Sequence, residues 1–311
     1  MATAAQTARQ ARAGTLEEVQ ILQRAPTGFW RDTWRRFRSD RGAMFFGTIF
    51  VLILIFVLSG PLISRYITHF NYSENHLTQK LSTPGENSYI LGSDGNGRDV
   101  LTRLSYGGRI SLLFALAAMI SVLVLGGLIG GSAGFFGGFY DSVMMRIAEI
   151  VLAMPLLPLL ILISAMYRPP VWQLAMFVGA FSWPGISRLI RGEVMSIRRR
   201  EYIEAARVTG ASNSRLLFRH VFPNVLPIII VWASLSVPSL ILLEAILSYL
   251  GVGVRPPTPS WGNMLEEAQQ FYRTAWWLIF IPGFAIYITV LSMTLTGNGI
   301  RDAIDVRLQR K

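Results

Sequence analysis

The segment Glu201-Tyr-Ile-Glu-Ala-Ala-Arg-Val-Thr-Gly210 lies in a polar, basic stretch between apolar runs that are each long enough to cross a membrane. Its residues favour a helix as far as Gly210, where glycine acts as a break. A loop that only joined two membrane helices would be shorter and would not need this pattern. We interpret the segment as a helix that is presented to a soluble partner at one membrane surface.

The apolar runs on both sides predict the fold class. Hydrophobic residues make up 52% of the 311-residue chain and charged residues only 15%, whereas soluble domains carry about a quarter charged residues. Six intervals contain no charged residue: 42–64, 110–140, 150–167, 169–187, 220–243 and 274–300. Because roughly 20 apolar residues cross the hydrocarbon core as a helix, the simplest prediction is an all-α membrane protein with six transmembrane helices.

The predicted boundaries follow from these intervals. We expect residues 1–27 to form a flexible cytoplasmic tail, 28–66 an interfacial elbow helix and the first transmembrane helix, 67–106 an external loop, and 107–311 a five-helix core. The crossings are expected at about 44–64, 110–134, 145–166, 172–190, 221–250 and 275–299. In the elbow, Trp30, Trp34 and Phe37 share one face of a helix that lies in the headgroup region.

The distribution of charge predicts the orientation. If both termini are cytoplasmic, most of the 29 Lys and Arg residues fall in cytoplasmic segments, including the run Arg198-Arg199-Arg200 just before the quoted segment. This agrees with the positive-inside rule. Loop anchoring also accounts for the net charge of +11, so nucleic acid is not expected as a partner.

The motifs exclude most enzyme classes. The chain has no Cys, and its three His residues are isolated, so thiolate sites and paired His ligands are excluded. Gly126, Gly130 and Gly134 resemble a phosphate-binding loop only superficially, because no Gly-Lys-Ser/Thr ending follows them. Their spacing of four is typical of close helix packing. We expect no catalytic residues, no metal and no cofactor bound by this chain.

One acidic residue lies deep in a predicted crossing. Glu244 is about two turns from the outer end of the fifth helix. Acids inside a membrane are costly and are often functional. A gate or pathway role and a structural hydrogen bond to a neighbouring helix both remain open.

Several motifs together resemble one family. Glu204-Ala205-Ala206, followed by Gly210 and by Pro223, resembles the "EAA" coupling motif of ABC importer permeases, although His220 and Phe222 replace the usual Ile and Leu. Further blocks, in the same order as in the family, narrow the resemblance to the second permease subunit of dipeptide/oligopeptide importers. These blocks are residues 91–101, 106–111, 134–141, 183–184, 248–262 and 299–305.

The resemblance implies a type I ABC importer permease fold in the cytoplasmic membrane and a role in peptide import. It implies a heterodimer with a homologous permease, two cytoplasmic ATP-binding subunits that use the ATP, and an external solute-binding protein. Nickel complexes or other small solutes are an alternative cargo. An ATP-independent secondary transporter would have no use for the coupling motif, and a membrane-embedded enzyme would need a catalytic cluster near one interface, which the sequence does not show.

The resemblance also assigns roles to individual residues. A coupling helix is expected at about residues 201–215, with the ATPase-coupling residues Glu201, Glu204, Ala205, Ala206, Gly210, Arg215 and Pro223. The external segment 251–273, which contains Trp261, is expected to dock the binding protein or to cap or gate the pathway.

Overall fold

The computed structural model describes residues 29–305. Regular structure in this range is helical, apart from one isolated β-bridge between Ser93 and Asp99. The prediction of an all-helical fold is therefore confirmed for these residues. The predicted cytoplasmic tail, residues 1–27, lies outside the described part of the chain.

Long helices carry the architecture, and short helical turns connect them. The helices are α1 (Phe29–Ser39), α2 (Arg41–Leu58), α3 (Val100–Phe136), α4 (Gly138–Ala153), α5 (Leu156–Tyr167), α6 (Val171–Arg198), α7 (Glu201–Val208), α8 (Phe222–Tyr249), α9 (Trp261–Ala268) and α10 (Trp277–Ile304). The turns are α-helical at Gly60–Leu62 and Asn213–Arg215, π-helical at Ile63–Thr68 and Leu216–Val221, and 3₁₀-helical at Leu77–Gln79 and Gln269–Phe271.

Four helices between residues 29 and 305 are long and apolar enough to cross a membrane: α2, α3, the continuous helical segment Asn213–Tyr249 that includes α8, and α10. The pair α4 and α5 would add a fifth span if the two helices form one crossing. α6 is not among them, because polar and charged residues such as Gln173, Arg188 and Glu193 lie along it. The predicted count of six crossings is therefore not confirmed.

The third predicted crossing, residues 145–166, is not one straight helix. α4 ends at Ala153, Met154 is extended with ψ 129°, and α5 begins after Pro155 at an angle of 78° to α4. Proline lacks an N–H and disfavours a helical conformation in the residue before it. The break therefore follows from Pro155, and the continuous span is corrected to a bent pair.

Two other predicted boundaries also shift. α3 begins at Val100, inside the segment 67–106 that was predicted to be an external loop. Asp99 caps this helix, because its carboxylate accepts the N–H of Thr102 at 2.7 Å. α2 ends at Leu58, and short helical turns continue the chain as far as Thr68.

α3 and α6 pack closely because glycines of α3 face the α6 backbone. A Cβ atom at Gly134 would lie 2.7 Å from the carbonyl oxygen of Arg191, and one at Gly130 would lie 2.8 Å from Cα of Ser187. A Cβ at Gly126 would collide with α6 in the same way. Residues without side chains thus allow the two backbones to approach each other.

Replacing Gly130 with Ala should separate α3 from α6 and lower the free energy of unfolding by about 1–3 kcal/mol, as expected for overpacking of a filled interface. The thermal unfolding midpoint of the purified protein in detergent would measure this loss. Gly127→Ala is the matched control, because a Cβ there would meet only the Phe222 ring at 3.7 Å. Equal midpoints for the two variants would contradict the proposed role of Gly130.

Candidate functional site

The segment that resembles the coupling motif folds into α7, and glycine ends this helix. Gly210 has φ +87°, a conformation that favours glycine. The N–H of Gly210 donates to the carbonyl of Arg207, and the N–H of Ala211 donates to the carbonyl of Ala206, both at 3.0 Å. This pair of bonds is a Schellman motif, which satisfies carbonyls at a helix end.

The chain starts a second helical piece after this turn. The hydroxyl of Ser212 accepts the N–H of Arg215 at 3.4 Å and caps the turn Asn213–Arg215. A π-helical turn then leads into α8, where Pro223 lies in the first turn and its missing N–H is tolerated. The predicted break at Gly210 is present, and residues 201–215 form α7 and a short second helical piece with a glycine turn between them.

α7 is fixed to the bundle on one side only. Ile203 is buried in an apolar cluster that contains Ile197 of α6 together with Leu216 and Val221 from the turn before α8, and Ala206 packs against this cluster. The opposite side of the segment is exposed, and it includes Glu201, Glu204, Ala205, Gly210 and Arg215. α7 therefore contacts both the end of α6 and the turn that leads into α8.

The exposed side of this segment also carries apolar residues that sequence reasoning missed. Val208 is 88% exposed, and Tyr202 and Phe218 are exposed as well. A cavity of about 340 Å³ beside α7 is lined by Glu204, Arg207 and residues of α3 and α6. Apolar residues within a polar segment were the sequence signal that could have indicated this surface. Exposed apolar residues are typical of a surface that another protein covers.

An ion pair ties α4 to α6 at the same end of the bundle. Arg191 binds Asp141 through both carboxylate oxygens, with Nη2 at 2.5 Å from Oδ2 and Nε bonded to Oδ1. Such a two-bond pair fixes orientation as well as distance. It lies beside Gly134, whose close contact is with the Arg191 backbone.

Glu244 is buried at the other end of the bundle and joins α8 to α3. The hydroxyls of Ser111 and Ser248 each donate to one of its carboxylate oxygens at 2.6 Å. The same hydroxyls accept the backbone N–H groups of Trp261 and Val254, at 3.3 Å and 3.0 Å. One carboxylate therefore holds two helices and the segment that follows α8. The hydrogen bond to a neighbouring helix is one of the two roles that the sequence left open.

Trp261 is also part of this assembly. It is buried, and its ring N–H donates to the carbonyl of Leu104 at 2.9 Å. Ser260 and Asn263 form a capping box at the start of α9. A direct surface contact between Trp261 and another protein does not fit this burial, so any effect of Trp261 on docking or gating would be indirect.

Four charged side chains form a buried network beside α9. Arg98 binds Asp94 at 2.6 Å and Glu267 at 2.5 Å, while Arg103 binds Asp94 at 3.5 Å and Glu267 at 3.1 Å. Burial raises the pKa of Glu267, and Arg103 and Arg98 oppose this shift. The network joins the loop before α3 to α9. The sequence showed Asp94 and Arg98 within a family block, but nothing in it paired them with Glu267.

Among residues 29–305, no group of three or more His, Asp or Glu side chains could hold a metal ion. The polar clusters described above consist of ion pairs and hydroxyl–carboxylate bonds. Their arrangement fixes helices relative to one another.

Comparison with known protein families shows to which family this chain belongs. The family described as "Binding-protein-dependent transport system inner membrane component" matches residues 126–310, which include α7, Glu244 and Trp261. The chain belongs to this family. The family described as "N-terminal TM domain of oligopeptide transport permease C" matches residues 28–84. The family resemblance noted in the sequence is confirmed, and the chain is an inner-membrane component of a transport system.

Curated relatives cover almost the whole chain. The oligopeptide transport system permease protein OppC of Escherichia coli K12 is 38% identical over 290 residues, which are 93% of this chain and 94% of the relative. The di/tripeptide transport system permease protein DppC of Pseudomonas aeruginosa is 37% identical over 284 residues, covering 90% and 92% of the two chains. OppC of Haemophilus influenzae is 34% identical over 294 residues, covering 94% and 92%.

The buried network around Glu267 yields a stability prediction. Glu267→Gln should lower the free energy of unfolding by about 2–3 kcal/mol, because Arg98 and Arg103 would keep only Asp94 as a charged partner. The figure is below that for a fully buried pair, since Glu267 remains 21% exposed. Thermal and denaturant unfolding would measure it. Glu266→Gln is the control, because Glu266 forms no ion pair within residues 29–305; a similar loss in this control would contradict the assignment.

The Glu244 assembly yields a prediction about local opening. In Glu244→Ala, the Ser111 and Ser248 hydroxyls lose their shared acceptor, so the backbone N–H groups of Trp261 and Val254 should exchange with deuterium about tenfold faster. Glu244→Gln keeps one acceptor oxygen and should fall between this variant and the unsubstituted protein. Unchanged exchange in Glu244→Ala would show that the carboxylate does not hold the segment.

Proposed function

We propose that this chain is the transmembrane permease subunit of an ATP-driven peptide importer, in which it forms half of the translocation pathway. The observation that carries the proposal is α7, which is fixed to the bundle through Ile203 and exposes Glu201, Glu204 and Val208. Peptides are favoured as cargo over nickel complexes and other solutes, because the relatives named above are described as oligopeptide and di/tripeptide permeases.

The proposed topology has six crossings, cytoplasmic termini and the type I importer permease fold. The bent pair α4–α5 is the third crossing, and α6 is the fourth. With 28 residues, α6 is about 42 Å long, which is enough for a span. Its polar character is tolerable in a membrane because α3 covers it closely along the Gly126–Gly134 face.

The proposed partners are a homologous permease, two cytoplasmic ATP-binding subunits that consume the ATP, and an external solute-binding protein. One ATPase receives the exposed side of α7 in a groove. There Ala205 permits close approach, while Glu201, Glu204 and Arg215 supply charge. Gly210 ends α7 with a fixed turn, and Pro223 starts α8. No catalytic group or cofactor on this chain takes part.

The proposed mechanism is a rigid-body lever. ATP binding selectively stabilises the closed ATPase dimer and so shifts the conformational equilibrium of the whole complex. Closure displaces α7, and the displacement reaches α6 and α8 through Ile203 and Leu216, because packed side chains transmit strain. The Asp141–Arg191 pair carries α4 along with α6.

At the outer end, Glu244 is proposed as a gate element that acts by holding Trp261 and the segment after α8. Docking of the binding protein is proposed for exposed residues of 251–273, such as Gln269, Gln270 and Tyr272. Trp261 supports that surface from beneath. An ATP-independent transporter would leave the exposed face of α7 without a partner.

Two substitutions in the coupling segment test the proposal. Glu204→Lys reverses a charge on the exposed side of α7, and Gly210→Pro cannot adopt φ +87°. Both should reach the membrane at normal levels, yet lose ATPase assembly or reduce substrate-stimulated ATP hydrolysis by about tenfold or more. Co-purification of the subunits and ATPase assays in proteoliposomes would measure these effects.

Asp302→Lys serves as the matched control, because it reverses an exposed charge near the end of α10, outside the coupling segment. It should retain assembly and stimulated hydrolysis. Normal transport by a well-folded Glu204→Lys protein would overturn the lever mechanism.

A further inference from the structure

A cavity of about 440 Å³ opens at the end of the bundle that lies opposite α7. Its walls are the C-terminal turn of α5, with Ser164 and Arg168, and the turn after α8, with Gly251 and Arg255. None of these residues belongs to the Glu244 assembly, to the ion network around Glu267 or to the coupling segment.

The cavity carries positive charge without compensation. Arg168 and Arg255 both line it, and neither forms an ion pair or a side-chain hydrogen bond with any other residue of the range 29–305. Two guanidinium groups at one opening repel each other and attract an anion. Each offers planar N–H donors that match the oxygens of a carboxylate or phosphate.

Ser164 supplies a further donor at the floor of the cavity. It is fully buried, and its hydroxyl has no hydrogen-bond partner in the described part of the chain. Other hydroxyls in the membrane helices, such as those of Ser121 and Thr289, donate to the carbonyl four residues earlier. An unmade bond at a buried polar group costs about 1–3 kcal/mol. The Ser164 oxygen is closed off from the cavity in this conformation, so a rotation of the side chain brings the hydroxyl to an oxygen that enters the cavity.

The flanking aromatic residues indicate the depth of the site. Tyr167 is 73% exposed and Trp172 is 59% exposed, and they lie on either side of Arg168 at the junction of α5 and α6. Exposed Tyr and Trp residues at helix ends are typical of the membrane–water interface, where lipid headgroups lie. The abundant oxyanion at headgroup depth is the phosphate of a phospholipid.

We propose that Ser164, Arg168 and Arg255 form a binding site for the phosphodiester of an anionic phospholipid in the outer leaflet. Arg168 and Arg255 donate to the phosphate oxygens, and Ser164 donates from below. A lipid with a net negative charge, such as phosphatidylglycerol, is preferred over a zwitterionic one because the cavity contains no acid to attract a headgroup ammonium. The assignment to the outer leaflet rests on the proposed orientation of the chain. The preference for an anionic lipid does not depend on coupling to ATPases.

The test measures lipid retention by the complete transporter purified into nanodiscs that contain phosphatidylcholine and phosphatidylglycerol. Native mass spectrometry should detect tightly held phosphatidylglycerol. Arg168→Gln combined with Arg255→Gln should raise its apparent dissociation constant by about tenfold or more, the loss expected for charge-assisted hydrogen bonds. Ser164→Ala should cause a smaller rise.

Arg273→Gln is the matched control. Arg273 is also an exposed arginine at this end of the protein, but its side chain contacts Tyr272 and does not line the cavity. It should retain phosphatidylglycerol fully. Basal ATP hydrolysis, measured for each variant, would establish that the complex is folded.

Two outcomes would overturn the proposal. Equal retention of phosphatidylglycerol by the double variant and by Arg273→Gln would show that the site does not bind lipid. Displacement by millimolar inorganic phosphate or by peptide, without any preference for phosphatidylglycerol, would assign the cavity to a soluble anion. Since retention is measured without ATP turnover, failure here is distinguishable from failure of the proposed import function.

Discussion

The close contact between α3 and α6 is the constraint on which the rest of the molecule depends. Membrane helices gain little from burying apolar side chains against each other, because lipid is equally apolar, so packing and interhelical hydrogen bonds decide their association. The α3 glycines bring the two backbones together and cover a helix too polar to face lipid alone. α6 in turn leads directly into α7, so the position of the candidate coupling surface is set by residues that have no side chains.

Ion pairs and hydrogen bonds also hold the helices together, and they differ between the two ends of the bundle. Near α7 the Asp141–Arg191 ion pair joins two helices, and an apolar cluster holds α7 itself. At the opposite end, Glu244 and the Glu267 network bind the loop before α3, α8 and α9 together. Buried ion pairs add little net stability compared with apolar residues, but breaking one is costly. Their effect here is to fix one arrangement of these elements.

Local patterns were sufficient for part of this structure. Apolar runs predicted the helical class, and glycine at position 210 predicted the end of α7, because both depend on neighbouring residues only. The break at Pro155 was underestimated, since proline can kink a membrane helix without ending it. Residues far apart in the chain could not be paired: Arg103 and Glu267 are 164 positions apart, and the burial of Trp261 depends on α3 and α8 together. The fourth crossing was predicted from an interval without charged residues, but α6 also contains polar and charged residues. A search for uncharged intervals could not reveal that protein covers the polar side of this helix.

The unequal distribution of ties has a mechanical consequence. Ion pairs and hydrogen bonds depend on direction, so the end that they hold resists sliding, whereas the end held by apolar packing can shift with a smaller loss of interaction energy. In the proposed lever, the tied end therefore acts as the pivot. α3 has 37 residues and is about 55 Å long. If α3 and α6 tilt together, so that their glycine contact is kept, a tilt of roughly 10° about the tied end moves the other end of α3 by about 10 Å, given that length. A small rotation at the pivot corresponds to a large displacement at the surface where α7 lies. Conversely, a large displacement of α7 corresponds to a short movement with greater force at the opposite end of the bundle.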